Sequence, residues 1–375
     1  MQKNSIQNLR TLLALNLING LGPKRVKQLV QTVKDPGSIF SLTKQELRQV
    51  EGIGEASALS ILSFNKWDEV DSILKDTKKT RSRIITLLDP EYPELLKQIY
   101  DPPVLFWIQG DANALSKPGI GVIGTRNTTL YGRKMAEKLS KELGEEGLCI
   151  YSGLAEGIDS IAHKAALEAN ASTVAVLGSG IDNLYPRSNA DLANQIVKNG
   201  GAVITEYSPG AKPEPGNFPI RNRIVSGLSL GVLVVESGIQ GGSMITADLA
   251  LDQNREVFTI PHTLDNASGT GCNYLIKTGA AKLVQSIHDI LDELPVAQKK
   301  KGETKPSPKP IAQWRKEDLS ELDKKICETL EKGALQIDVL ADTLSEHVSQ
   351  LLVNLLQLEM KGIVVQKAGK MFELK

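Results

Sequence analysis

The chain has 375 residues, enough for two or three domains with at least one large core, and its 44 basic side chains balance 44 acidic ones. Residues 1–100 hold 15 basic and 11 acidic side chains, residues 101–295 hold 15 and 21, and residues 296–375 hold 14 and 12, so the net acidic middle excludes nucleic acid wrapped along one basic face and leaves only a local pocket. No apolar run reaches the ~20 residues of a membrane span, no secretory pattern opens the chain, and three scattered cysteines with four histidines give no metal-ligand spacing; a cytoplasmic protein without metal or cofactor is expected.

Residues 1–80 read as a helical domain, with Leu9, Leu12, Leu13 and Leu17 at helical spacing. Asn19-Gly20-Leu21-Gly22-Pro23 and Glu51-Gly52-Ile53-Gly54 repeat one G-h-G turn before two helices, which resembles the helix-hairpin-helix or SAM-like pattern. Such turns carry phosphate contacts or serve as architecture; Lys24 and Arg25 suit the first role, whereas Glu55 does not.

Residues 81–295 alternate strands and helices. Strands are expected at Ile84–Leu88, Val104–Ile108, Gly121–Ile123, Cys149–Tyr151, Thr173–Leu177, Ala202–Thr205, Val232–Val235 and Val257–Ile260. These apolar runs without alternation fit strands covered on both faces, hence an α/β, Rossmann-like doubly wound sheet. Ligands of such sheets collect beyond the carboxyl ends of the strands.

Gly124-Thr125-Arg126 reads as a strand end, a phosphate-binding turn and a helix start, with a planar fork of donors on Arg126. Surface pairing of Arg126 with a nearby glutamate is the other reading. Gly119, Gly121 and Gly124 spell G-x-G-x-x-G, but they lie inside the strand rather than after it, which speaks against a nicotinamide site. Gly153 in SGLAEGIDSIAH and Gly241-Gly242-Ser243 open helices in the same way, and the three turns together form an expected shelf of backbone donors. Phe218 either stacks a base or belongs to the core. Arg221 and Arg223 are about 200° apart on a helix and cannot both face one phosphate there.

Residues 296–313 are lysine- and proline-rich and read as a linker. Residues 314–375 follow with helices around Leu322–Leu330, Ile337–Leu344 and Val348–Lys361, then a hairpin of Ile363–Val365 and Met371–Leu374 turning at Ala368-Gly369. This order resembles a winged helix. Its third helix lacks the cations of a DNA reader, so an auxiliary or protein-interaction role is expected.

Tyr92-Pro93, Asp101-Pro102-Pro103, Gly124-Thr125-Arg126, SGLAEGIDSIAHKAAL, Tyr185-Pro186, FPIRNRIVSGLS, GGSMITADLAL and NYLIKTGA occur in order across residues 82–292. Together they resemble the DNA processing protein A (DprA/Smf) family of bacteria. The resemblance implies an extended Rossmann-like domain that binds single-stranded DNA without catalysis, protects incoming DNA and loads a RecA-type recombinase in natural transformation. It also implies a homodimer through Asn273–Val284. The implied DNA-binding residues are Gly124, Thr125, Arg126, Gly153, Lys164, Phe218, Arg221, Arg223, Gly241, Gly242 and Ser243. Glu156, where many members carry a basic residue, His262, where glycine is usual, and Gly271-Cys272 depart from the pattern. The alternative is a phosphoribohydrolase acting on nucleoside monophosphates through Glu206 or Glu236, but Gly241–Asp248 lacks that motif's proline and glutamate.

Overall fold

Six segments of the first eighty residues bury their leucines against one another and then against a sheet. The computed structural model describes residues 2–294, 314, 319–331, 333–344, 346–367 and 371–374. Contacts divide the chain into Met1–Gln298 and Lys299–Lys375. Helices α1 (Gln2–Asn16), α2 (Pro23–Thr32), α3 (Lys44–Arg48), α4 (Glu55–Leu62) and α5 (Trp67–Lys79), with a 3-10 turn at Pro36–Ser41, form the opening layer. Both G-h-G turns are left-handed at their first glycine, Gly20 at φ 79° and Gly52 at φ 80°, a conformation that a side chain would strain. Gly22 and Gly54 then cap α2 and α4, while Leu21 and Ile53 between them are buried.

The cations of the first turn are engaged within the fold. Lys24 Nζ lies 4.2 Å from the Tyr100 ring centre and donates to its hydroxyl at 2.8 Å, and Arg25 Nη1 donates to the Gly20 carbonyl at 2.8 Å. Glu55 pairs with Lys44. Lys27 adds a tie from α2 to the Lys97 carbonyl.

The sheet comprises β1 (Arg83–Thr86), β2 (Leu105–Gly110), β3 (Gly119–Gly124), β4 (Cys149–Ser152), β5 (Thr173–Val176), β6 (Ala202–Thr205), β7 (Gly231–Glu236), β8 (Glu256–Thr259) and β9 (Lys282–Leu283). Between them run α6 (Glu94–Gln98), α7 (Leu130–Glu145), α8 (Ile158–Glu168), α9 (Ala190–Lys198), α10 (Asn217–Leu228), α11 (Gly242–Asp252) and α12 (Thr270–Lys277), with α13 (His288–Leu291) after β9. The spatial order is β1-β2-β6-β5-β4-β3-β7-β8-β9. Pairing is parallel from β6 to β9 and antiparallel where β2 meets β1 and β6. The chain winds outward from β3 through β6, then returns to place β7 on the other side of β3. That reversal is the switch point where doubly wound sheets hold ligands.

Eight expected strands are present, Ala202–Thr205 with the expected ends and the other seven with shifted ends. β1 stops at Thr86 rather than Leu88 because Asp89 accepts from the Thr86 amide at 2.7 Å and its hydroxyl at 2.8 Å, turning the chain. The two-residue β9 carries too short a run to have been read. Val104, Leu105 and Trp107 share the core of the helical layer, so that layer covers one end of the sheet. Trp107 Nε1 donates to Thr77 Oγ1 at 2.8 Å, and Gln109 Nε2 to the Thr80 carbonyl at 2.7 Å.

The second unit contains α14 (Glu321–Leu330), β10 (Leu335–Gln336), α15 (Ile337–Leu344), α16 (Val348–Met360), β11 (Val364–Lys367) and β12 (Met371–Leu374). A three-stranded sheet, β10-β12-β11, closes a core containing Ile326, Leu340, Leu351, Leu355 and Phe372. This is a winged helix. Its third helix exposes Leu352, Val353 and Leu356 rather than cations. The linker at 296–313 and the hairpin turn at 368–369 lie outside the described residues.

Replacing Thr77 by Val leaves the Trp107 indole N–H buried without an acceptor. The expected loss is about 1–3 kcal/mol, read as an earlier midpoint in urea unfolding.

Candidate functional site

Beyond the carboxyl ends of β3 and β7, at the switch point, opens a pocket of about 620 Å³. Its walls include Thr125, Arg126, Asp159, Phe218, Arg221 and the Gly241–Ser243 turn. The three glycine turns expected to share one task do three different things.

After β3 the helix does not start at Thr125. Residues 125–129 form a loop, and Thr129 caps α7, its Oγ1 accepting from the Gly132 amide at 3.0 Å. The Thr129 amide in turn donates to Glu236 Oε2 at 2.9 Å. The positive end of α7 is thus neutralised by a fully buried carboxylate instead of a ligand. Gly132 makes this possible, since a Cβ there would lie 2.0 Å from Glu236 Oε2.

Two amides of the Gly153 turn are likewise engaged within the fold. The amides of Gly153 and Ala155 donate to Asp159 Oδ2 at 3.1 and 3.4 Å, and Asp159 itself stands in the first turn of α8. Burial pushes the Asp159 carboxyl up from its ordinary range, with Arg221 and the two amides acting against that shift. What Gly153 supplies is room: a Cβ would sit 2.0 Å from Arg221 Nη1. The guanidinium lies against bare backbone.

Arg221 is 4% exposed, donates from Nη1 to the Val176 carbonyl at 2.5 Å, and leaves Nε without a partner among the described residues. Desolvation lowers its pKa, but a guanidinium starts so high that it stays charged. The guanidinium lines the pocket, so its charge favours an anion there, although Nε itself is buried. Arg223 points elsewhere on α10, to Glu206 at 2.7 and 2.6 Å and to Asp101 at 3.1 Å, so it is not brought to the pocket. Nor is Lys164, which is exposed on α8.

The third turn presents a helix end to the pocket. Gly241 caps α11 without a side-chain hydrogen bond, and Gly242 and Ser243 line the pocket at its first turn. Ser243 Oγ donates to Ser237 Oγ at 2.7 Å. At the rim, Arg126 is exposed and, among the described residues, pairs with no carboxylate; its guanidinium carbon lies 5.8 Å from the half-buried Phe218 ring. Tyr185 adds a second ring 5.8 Å from Phe218. Two guanidiniums, a helix end and two aromatic rings can hold phosphate and stack a base. Tyr185 and Asp159 were not singled out as site residues in the sequence, although both lie within quoted motifs.

Two departures from the family pattern, His262 and Gly271, serve packing. His262 Nε2 meets the Val235 carbonyl at 2.8 Å, and its ring meets Tyr131 edge-on. Gly271 brings α12 against the Ser237 carbonyl, to which its amide donates at 2.8 Å.

A doubly wound sheet with a crevice lined by two guanidiniums at its switch point defines a Rossmann-type α/β protein. The family model of DNA recombination-mediator protein A matches residues 83–295, that of a SAM-like helix-hairpin-helix tandem matches 11–66, and that of the DprA winged helix domain matches 308–370. The chain belongs to the DNA recombination-mediator protein A family, also called DprA or Smf. It is 32% identical to Protein Smf of Synechocystis across 96% of this chain and 97% of that one. It is 44% identical to DNA processing protein DprA of Bacillus subtilis, across 64% and 81%. The X-ray structure of DprA from Streptococcus pneumoniae aligns with a TM-score of 0.64 at 33% identity, covering 78% of this chain and 98% of that one. The Helicobacter pylori protein, whose structure concerns a single-stranded DNA binding mode, aligns at 0.52 and 30% identity, covering 59% and 98%. Among the described residues no helix is long and apolar enough to cross a membrane.

Beneath the site, His163 is fully buried and Thr173 Oγ1, which donates to the Ile150 carbonyl, accepts from its Nδ1–H at 2.6 Å. Burial pushes its pKa down to about 3, with the nearby Arg221 charge adding to the effect. The unfolded chain takes up this proton near pH 6.5 and the folded chain only near pH 3. Stability should therefore decline as pH falls between those values, and His163→Gln should flatten that part of the urea-midpoint profile.

Proposed function

We propose that this chain binds single-stranded DNA in the switch-point pocket, shields incoming DNA and passes it to a RecA-type recombinase during natural transformation. It does so as a cytoplasmic homodimer joined through Asn273–Val284, without catalysing a covalent step. The observation that carries this reading is Arg221, a buried guanidinium that lies against Gly153 and lines the pocket, with Arg126 lining it as an exposed second cation. The single-stranded DNA binding mode described for the Helicobacter pylori relative supports it. So does the engagement of the two carboxylates a phosphoribohydrolase would use: Glu206 is held by Arg223, and Glu236 caps α7. An unstacked strand fits better than a duplex, because Phe218 and Tyr185 can engage only a base freed from its neighbours.

Arg126→Ala should weaken binding to oligonucleotides of every base composition and lower the salt slope by about one counterion, in salt-titrated fluorescence anisotropy. Phe218→Ala should weaken it by about 1–3 kcal/mol with the salt slope unchanged. Unaltered affinity in both variants would remove the pocket from the DNA path.

A further inference from the structure

A carboxylate stands at the edge of this anion site. Glu156 lines a narrow cleft beside the main pocket together with Arg126, Tyr185 and Phe218. It is exposed, and among the described residues it forms no ion pair, not even with Arg126, which borders the same cleft. Ser188 Oγ donates to Glu156 Oε1 at 3.0 Å. That bond restrains the carboxylate while leaving acceptor capacity on both oxygens.

Such a group repels phosphate and accepts only hydrogen bonds. In a cleft shared with Tyr185 and Phe218, it is placed to meet the edge of a base that enters there. Among the four DNA bases only guanine offers two adjacent donors on its Watson–Crick edge, N1–H and the N2 amino group. Adenine and cytosine set their amino group beside an acceptor nitrogen, and thymine flanks its single N3–H with two carbonyls. A carboxylate therefore accepts two parallel bonds from guanine and meets a repulsive lone pair on each of the others.

We propose that Glu156 is a specificity-determining residue that gives this single-strand site a preference for guanine at the position stacked on Phe218 and Tyr185. This inference rests on the DNA-binding reading above and names the base which that reading leaves open. The acidic side chain then has a consistent role: it weakens generic phosphate attraction at the cleft and replaces it with recognition of one base.

The full-length protein would be titrated with oligothymidylate, with the same oligomer carrying one internal guanosine, and with inosine in that position. A single guanosine avoids self-association of guanine runs. The guanosine oligomer should bind on the order of tenfold more tightly than oligothymidylate, and inosine, lacking the amino group, should fall between them. Glu156→Ala should abolish the difference and raise affinity for oligothymidylate, with unchanged circular dichroism as the check on folding. Equal affinity for all three oligomers in the unaltered protein would overturn the preference, and a preference that survives in Glu156→Ala would overturn the assignment to Glu156. Absence of any oligothymidylate binding would instead overturn the underlying single-strand reading.

Discussion

Glu236 is the constraint on which the site depends. It ends β7 fully buried, and its main chain and side chain both grip the loop that follows β3: the Thr125 amide donates to the Glu236 carbonyl at 2.8 Å and the Thr129 amide to Oε2 at 2.9 Å. Arg126 lies between those two anchors, so the exposed cation at the rim is carried on a loop fixed at both sides. The same carboxylate satisfies the positive end of α7, an end that would otherwise compete with the pocket for an anion. Its remaining oxygen has no partner among the described residues, a buried acceptor retained at the centre of the fold.

Around that frame, charge is arranged in depth. Asp159 lies below, accepting from two amides; Arg221 is buried in the wall; Arg126 is exposed at the rim. Desolvation weighs on Arg221, and the negative field of Asp159 offsets part of it without forming an ion pair that would occupy the guanidinium. Low local polarizability strengthens whatever bond Arg221 makes to an entering phosphate. Pairing has the opposite effect on Arg223, where Glu206 and Asp101 use the guanidinium fully and turn a cation of the same helix into a structural clamp.

Much of this was legible from the sequence because strands covered on both faces are written as continuous apolar runs, and a 3.6-residue period separates Arg221 from Arg223. The function of the glycines was not legible. A glycine that exposes an amide and a glycine that admits a neighbour are the same letter, and the neighbours of Gly132 and Gly153 are Glu236 and Arg221, far away in the chain. The start of α7 was misplaced for a related reason. Thr125 and Thr129 are both plausible caps, and the choice between them is made by Glu236, which no local pattern reveals. The contacts of Lys24 with Tyr100 and of Arg25 with Gly20 were hidden likewise.

The charge balance bears on how the proposed site reaches its ligand. With residues 101–295 net acidic, long-range attraction of that domain toward nucleic acid is weak, and Lys24 and Arg25 keep their charges while contacting neutral groups. Binding then depends on short-range contacts made inside the crevice. A duplex presents its phosphates on a stiff exterior with its bases stacked within, and it cannot offer a phosphate to Arg221 and a base face to Phe218 together. A flexible strand can. In the proposed reading, selectivity for single strands would follow from the burial of Arg221 as much as from any residue identity, because a rigid helix cannot bring its phosphate to a buried cation.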